Sequence, residues 1–99
     1  MKNTTNTDNH TILLSNGRYV QSNFLDYIHW AVIERISLLQ PLTTYTLKQI
    51  CDDDFWNDLN PSEQQRAGWC MVHLVARQEL PMISVNICRH QYPKRYRLK

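Results

Sequence analysis

The stretch that decides the fold reads Asn60-Pro-Ser-Glu-Gln-Gln-Arg-Ala-Gly-Trp-Cys-Met-Val-His-Leu-Val-Ala-Arg-Gln-Glu79. Asn60 can accept the free N–H groups of a first helical turn, and Pro61 suits the first helical position because it has no N–H. Glu63, three residues after Asn60, can complete a capping box. Leu80-Pro81 then ends the segment, because proline cannot continue a helix. The pattern predicts a helix from Pro61 to Glu79.

Two short strands joined by a polar loop are predicted after this helix. Met82–Ile87 alternates in hydrophobicity, and Ile83, Val85 and Ile87 share one face. A polar stretch, Cys88–Pro93, leads into Lys94–Lys99. In that last segment apolar side chains alternate with basic ones, so the second strand has one charged edge formed by Arg95, Arg97 and Lys99.

A β-hairpin and a helix are predicted before the deciding stretch. Asn16-Gly17 lies between two apolar runs, and both residues accept positive φ, which predicts a hairpin over residues 11–21. Apolar residues then recur at spacings of three and four from Phe24 to Gln40, which predicts a helix with one buried stripe. Ser22 or Asn23 can cap this helix.

A second capped helical segment is predicted between these two helices. Leu42–Tyr45 is short and β-prone. Thr46 and Gln49 have the spacing of a capping box, so a helix should begin at Leu47. It runs into three adjacent aspartates, Asp52–Asp54, one of which can cap a second turn over Phe55–Leu59. We interpret these acids as a cap and two solvated charges rather than a cation site, because no ligand-rich loop follows.

Size and composition indicate one soluble domain. The 99 residues are 42% hydrophobic and 20% charged, which is ordinary for a globular chain. We expect a disordered tail over residues 1–10 and a single domain over residues 11–99. No apolar run approaches the roughly 20 residues that span a bilayer, and no signal peptide is evident. The three widely spaced cysteines favour reduced thiols in the cytoplasm.

The charge distribution points to a negatively charged partner. Residues 1–84 carry six Lys/Arg and nine Asp/Glu, whereas residues 85–99 carry five Lys/Arg and no acid. A basic end of this kind favours a polyanion or an acidic protein. A merely solubilising tail is the alternative.

Catalytic and metal sites find little support in the sequence. The four histidines have no nearby nucleophile or acid in a recognisable arrangement, and no glycine-rich phosphate loop occurs. Cys70, His73, Cys88 and His90 are conceivable zinc ligands, but their spacings are not those of a standard zinc site. We therefore predict a protein that is not an enzyme and has no metal or cofactor.

In the order helix, short strand, two capped helices, strand, basic loop and strand, the segment Phe24–Lys99 resembles a winged helix-turn-helix domain. Small regulators of bacteria and their mobile elements often have this form. The resemblance implies an α+β fold with Leu47–Leu59 as the supporting helix, Pro61–Glu79 as the recognition helix and Met82–Lys99 as the wing. It also implies a DNA-binding regulator that acts on double-stranded DNA.

The resemblance assigns contacts to individual residues. The first turns of the recognition helix enter the major groove, and the wing contacts the backbone or the minor groove. The residues implied to lie nearest the bases are Ser62, Gln64, Gln65 and Arg66. Those implied to meet phosphates are Arg89, His90, Lys94, Arg95 and Arg97. Trp30, Trp56 and Trp69 could stack on bases, but we interpret them as packing residues because aromatic side chains bury so much area.

A protein-interaction module that does not bind nucleic acid is the alternative interpretation. By helical counting, Trp69, Val72 and Ala76 form a second apolar patch on the main helix. Either the hairpin or a partner chain, including a second copy in a homodimer, should cover this patch. Gly68 costs about 1 kcal/mol relative to alanine inside a helix, which suggests the close approach of another backbone.

Overall fold

The computed structural model describes residues 10–85 and 92–99. Within them, helices mix with two small antiparallel sheets, as the α+β prediction requires. The strands are β1 (Thr11–Leu13), β2 (Tyr19–Gln21), β3 (Met82–Ser84) and β4 (Tyr96–Leu98). The α-helices are α1 (Ser22–Ile33), α2 (Leu47–Ile50), α3 (Asp53–Asp58) and α4 (Pro61–Ala76), and a 3₁₀ helix covers Ile36–Leu38.

The predicted N-terminal hairpin is confirmed, but its turn is different. β1 pairs with β2 in antiparallel register, and Leu13 lies opposite Tyr19. Gly17 has a φ of 84°, whereas Asn16 is not among the residues with positive φ. The Leu14 N–H donates to the Arg18 carbonyl at 2.7 Å, and the Gly17 N–H donates to the Leu14 carbonyl at 2.9 Å. These bonds close a three-residue loop in which only the glycine needs the left-handed conformation.

Helix α1 begins earlier and ends earlier than predicted. Ser22 is already helical, and Gln21 occupies the N-cap position without a side-chain cap bond. The capping prediction for Ser22 or Asn23 is therefore wrong, because β2 runs directly into the helix. After Ile33 the backbone bonds shift to the carbonyl three residues back, so the chain tightens into the 3₁₀ helix.

Both predicted caps of the middle segment are present. The Gln49 N–H donates to Thr46 Oγ1 at 3.2 Å, and the Thr46 N–H donates to Gln49 Oε1 at 2.8 Å. Asp52 Oδ2 accepts hydrogen bonds from the backbone of Asp54 and Phe55. Because Cys51 is extended, α2 and α3 are two separate short helices. α3 begins at Asp53, two residues before the predicted start.

Helix α4 has the predicted start and a different end. The Glu63 N–H donates to Asn60 Oδ1 at 2.8 Å, and the Asn60 N–H donates to Glu63 Oε1 at 2.9 Å. The helix ends at Ala76 instead of Glu79, because Gln78 adopts a φ of 59°. The Glu79 N–H then donates to the Leu74 carbonyl and the Gln78 N–H to that of Val75. This pair of bonds is a Schellman motif with glutamine where glycine is usual.

The C-terminal strands are shorter than predicted, and they pair with a residue upstream. Met82 lies opposite Leu98, and Ser84 lies opposite Tyr96. Met82 and Tyr96 are buried, whereas Ile83 lies on the other face, opposite Arg97. Tyr45 extends this ribbon through two backbone bonds with Tyr96, at 2.7 and 2.8 Å. The predicted strand region around residues 42–45 is thus reduced to one bridge.

One hydrophobic core links the hairpin to the helices and the C-terminal strands. α1 contributes Ile28 and Val32, which belong to the predicted buried stripe, and α4 contributes Met71 and Leu74. Leu14 and Val20 of the hairpin join the same cluster. The hairpin therefore packs within its own chain.

Among the helices of the described residues, none is long and apolar enough to cross a membrane.

Candidate functional site

A groove of about 470 Å³ lies between α4, the start of α2 and the segment leading into β4. α4 provides one wall with residues between Gln64 and Val72. Thr46, Leu47 and Lys48 form a second wall, and Tyr92, Pro93 and Lys94 form a third. These segments are far apart in sequence and are brought together by the capped start of α2 and by the bridge between Tyr45 and Tyr96.

The lining of the groove is mainly apolar and aromatic. Leu47, Met71 and Tyr96 are buried residues that line it. Around them stand three more aromatic side chains, those of Trp56, Trp69 and Tyr92. Trp56 and Trp69 also pack against the core, as their interpretation as packing residues predicts. Burial raises the pKa of the Tyr96 hydroxyl, which therefore stays protonated at neutral pH.

Gly68 lines the groove at the middle of the α4 wall. A Cβ built on it meets no heavy atom within 4 Å. The expectation that another backbone approaches Gly68 closely is therefore wrong. The residue still carries the cost of about 1 kcal/mol that glycine has in a helix interior. Packing does not account for a glycine at this position, and its effect is to leave the groove wide.

Of the two glutamines predicted to read bases, Gln64 is held by hydrogen bonds within the protein and Gln65 is exposed. Gln64 is half-buried, and its Nε2 donates to the carbonyls of Trp56 and Leu59 at 3.2 Å each. It therefore ties α4 to α3. Gln65 lies on the groove and is exposed. Of the two, Gln65 is the one whose amide faces solvent.

Ser62 and Arg66 interact with each other outside the groove. The Arg66 Nη1 donates to Ser62 Oγ at 2.8 Å. The guanidinium carbon of Arg66 also lies 5.8 Å from the ring centroid of Phe24 in α1. Arg66 thus lies against the α1 side of the molecule, and the structure does not bring it together with Gln65 at the groove.

Two lysines flank the groove on the walls that face α4. Lys48 comes from the second wall and Lys94 from the third. The Lys94 ammonium lies 5.0 Å from the centroid of the Tyr92 ring, which is a cation–π distance. The occupant of the groove therefore meets aromatic surface and positive charge together.

Arg95 and Arg97, which are also predicted to meet phosphates, adjoin the groove residues Lys94 and Tyr96 along the chain. Arg95 and Arg97 alternate with the buried Tyr96, so they lie on the outer face of the β3–β4 ribbon. Arg97 also donates through Nη1 to the Leu98 carbonyl at 3.2 Å. Arg89 and His90 lie outside the described residues.

The predicted partner patch is divided, because Trp69 and Val72 line the groove and Ala76 does not. The guanidinium of Arg18, in the hairpin, lies 5.0 Å from the ring centroid of Trp69. Val72 lines the groove, and Ala76 is exposed at the end of α4. His73 is buried and accepts a bond from the Ser15 N–H through Nδ1 at 3.0 Å. The hairpin therefore covers part of this face.

The described thiols are poor candidates for metal or redox chemistry. Burial raises the pKa of Cys51 to about 11 and that of Cys70 to about 12, so both remain protonated at neutral pH. Protonated thiols are weak nucleophiles and weak ligands. Within the described ranges, no three His, Cys, Asp or Glu side chains come together as a metal would require. Cys88 and His90 lie outside those ranges.

Several groove residues were not anticipated from the sequence. Thr46 was singled out only as a cap, and Lys48 and Tyr92 were given no role. The one local signal for Lys48 is its place in the capped turn of α2, where side chains face solvent. For Tyr92 no local signal exists, because its position depends on the pairing of β3 with β4.

No protein family, curated protein or solved structure matches this chain.

Proposed function

We propose that this chain is a non-enzymatic nucleic-acid-binding regulator of the winged-helix type. The groove between α4 and the segment before β4 is its binding surface. The observation that carries the proposal is that two lysines, Lys48 and Lys94, line this groove together with the exposed Gln65. A groove flanked by positive charge attracts a polyanion and orients it along its length.

The arrangement of the strands supports the winged-helix assignment. Tyr45, which precedes the helix pair α2–α3, pairs with Tyr96 of the last strand, and that strand pairs with β3. A winged helix requires a short strand in this position, packed on the ribbon that follows the recognition helix. In the proposal α4 is the recognition helix and residues 82–99 are the wing.

The basic face of β4 extends the proposed surface. Arg95, Arg97 and Lys99 add positive charge beside Lys94 without an acid in the same segment. Contacts from such residues to phosphates supply affinity without sequence preference. Any preference for particular nucleic-acid sequences must then come from Gln65 and from the other residues that line the groove.

Binding of the purified chain to a mixed-sequence DNA duplex tests the proposal. We expect an affinity that falls steeply as salt rises, because each neutralised phosphate releases counterions. The double variant Arg95→Ala/Arg97→Ala should weaken binding to every sequence tested. The single variant Arg77→Ala, at the exposed end of α4, is the control and should bind as the wild type does. DNA binding that is undetectable even at low salt would contradict the proposal.

Binding of another protein is the second candidate, favoured by an exposed aromatic pair on α1. The Tyr27 and Trp30 rings are stacked with centroids 6.2 Å apart, and Trp30 is 55% exposed. Aromatic side chains of this kind are enriched in protein interfaces. Sedimentation of the wild type and of Trp30→Ala tests this candidate: an assembly that the variant loses would support it.

A further inference from the structure

The groove has the volume of a ligand site rather than that of a shallow contact surface. Its roughly 470 Å³ fall within the range of about 300–1,000 Å³ that is usual for small-molecule sites. The edge of an intact DNA duplex presents paired bases whose flat faces are covered by their neighbours. The backbone of such a duplex can contact the lysines that flank the groove, but its paired bases do not enter the aromatic interior.

The groove is also kept open at its centre. Gly68 lines the groove, and a Cβ at this position would meet no heavy atom within 4 Å. Neither a tight turn nor a positive φ explains this glycine, since Gly17 is the glycine with positive φ. The glycine therefore serves the volume of the groove and not the fold of the helix.

Aromatic walls and lysines together select a flat, anionic occupant. Trp56, Trp69 and Tyr92 line the groove, and Tyr92 is the most exposed of the three, at 79%, whereas Arg18 lies 5.0 Å from the Trp69 ring centroid. Stacking of a base on an aromatic side chain contributes to affinity without depending on sequence, because every base has a flat face. Lys48 and Lys94 line the same groove and supply positive charge for the phosphates that flank a stacked base.

We propose that the groove beside Gly68 binds an unpaired nucleobase, with its flanking phosphates at Lys48 and Lys94. The inference rests on the proposed nucleic-acid function and narrows its target to nucleic acid with unpaired nucleotides, such as a mismatch, a bulge or a single-stranded end. Double-stranded segments on either side contact the basic face of β4.

Two DNAs of equal length and equal phosphate count test the proposal. One is a perfect duplex, and the other carries two adjacent mismatched thymine pairs at its centre. Since the charge is the same, a difference in affinity measured by fluorescence anisotropy reports on the unpaired bases. The wild type should bind the mismatched DNA on the order of tenfold more tightly. Free thymidine monophosphate is added as a competitor, and it should compete only weakly because it lacks the flanking duplex.

Gly68→Leu fills the groove and should abolish the preference, so that this variant binds the mismatched DNA and the perfect duplex with equal affinity. Ala76→Leu adds the same side chain to the same helix outside the groove and should keep the preference. Circular dichroism checks that both variants fold. If Gly68→Leu does not fold, Tyr92→Leu replaces it, because it removes an exposed ring, and it should reduce the preference several-fold.

Equal affinity of the wild type for both DNAs, with salt-dependent binding retained, would overturn the unpaired-base proposal and leave the DNA-binding function standing. No binding to either DNA would overturn both. Tight competition by free thymidine monophosphate would assign the groove to a mononucleotide instead. A change of oligomeric state in Gly68→Leu, with no effect on DNA preference, would assign it to a second copy of the chain.

Discussion

At the scale of single residues, the two glycines have opposite roles. Gly68 lies inside α4 with open space where its Cβ would be, and Gly17 has a φ of 84° in the hairpin turn. We expect Gly68→Ala to raise the free energy of unfolding by about 1 kcal/mol, because alanine is the better helix former. In a domain of this size that raises the melting temperature by roughly 4–8 °C.

Gly17→Ala serves as the contrasting variant, and it should lower the melting temperature because alanine is strained at positive φ. Thermal unfolding of both variants checks the pair. A lower melting temperature in Gly68→Ala would show that the position beside the groove is not open.

His73, which is buried, joins α4 to the hairpin through one partly buried hydrogen bond. Because the Ser15 N–H donates to Nδ1, that nitrogen must be unprotonated. His73→Phe leaves the Ser15 N–H without its partner and should lower the free energy of unfolding by about 1–3 kcal/mol. His29→Phe is the matched control. His29 makes its bond to the Glu79 carbonyl at the surface, where water can replace it, so a smaller loss is expected.

Denaturant unfolding of the two histidine variants measures this difference. A loss in His29→Phe as large as that in His73→Phe would refute the role given to the bond between Ser15 and His73. The sequence did not reveal this role, because the bond depends on how the hairpin packs against α4, which no local pattern describes.

The buried thiols predict how stability depends on alkaline pH. The pKa of Cys70 is about 12 in the folded chain and ordinarily 9.0, so the unfolded chain loses this proton first as pH rises. The free energy of unfolding should therefore be unaffected below pH 9 and fall above it, by up to about 1.4 kcal/mol per pH unit for this group. Urea unfolding of the wild type and Cys70→Ala at pH 7, 9 and 10 tests this prediction. The variant should show the shallower fall, and an equal fall in both would contradict the assignment.

At the scale of helices and strands, the sequence predicted local features well. The capping boxes at Thr46 and Asn60 were predicted correctly because each depends only on residues three apart. The end of α4 was predicted incorrectly. Its Schellman motif has glutamine at the left-handed position, so the sequence contains no glycine that would indicate the end of the helix. The start of α1 depends on the strand before it, which no capping pattern describes.

The cap of α4 gives a prediction at this scale. Asn60→Ala removes the acceptor of the Glu63 N–H and should lower the free energy of unfolding by about 1 kcal/mol. Asn60→Asp keeps an acceptor and should retain most of the stability. Ser62→Ala, two residues later and exposed, should have little effect. Denaturant unfolding measures these differences. Equal free energies of unfolding for Asn60→Ala and Ser62→Ala would contradict the stabilising role of the cap.

At the scale of the whole molecule, the groove is a product of tertiary contacts. Gln65, Trp69 and Val72 could be placed on the exposed side of α4 from helical periodicity alone. Lys48 and Tyr92 could not be placed opposite them, because their positions depend on the cap of α2 and on the pairing of Tyr45 with Tyr96. The sequence therefore predicted one wall of the site and, from the other two walls, only Lys94.

The most direct test of the groove as a nucleic-acid surface is the salt dependence of duplex binding by charge-neutralised variants. Each lost phosphate contact should make the plot of log affinity against log salt shallower by about 0.9. We predict this change for Lys48→Gln and for Lys94→Gln, which flank the groove, and no change for Arg77→Gln, whose ion pair with Glu79 lies outside it. Equal slopes for the wild type and all three variants would contradict the account.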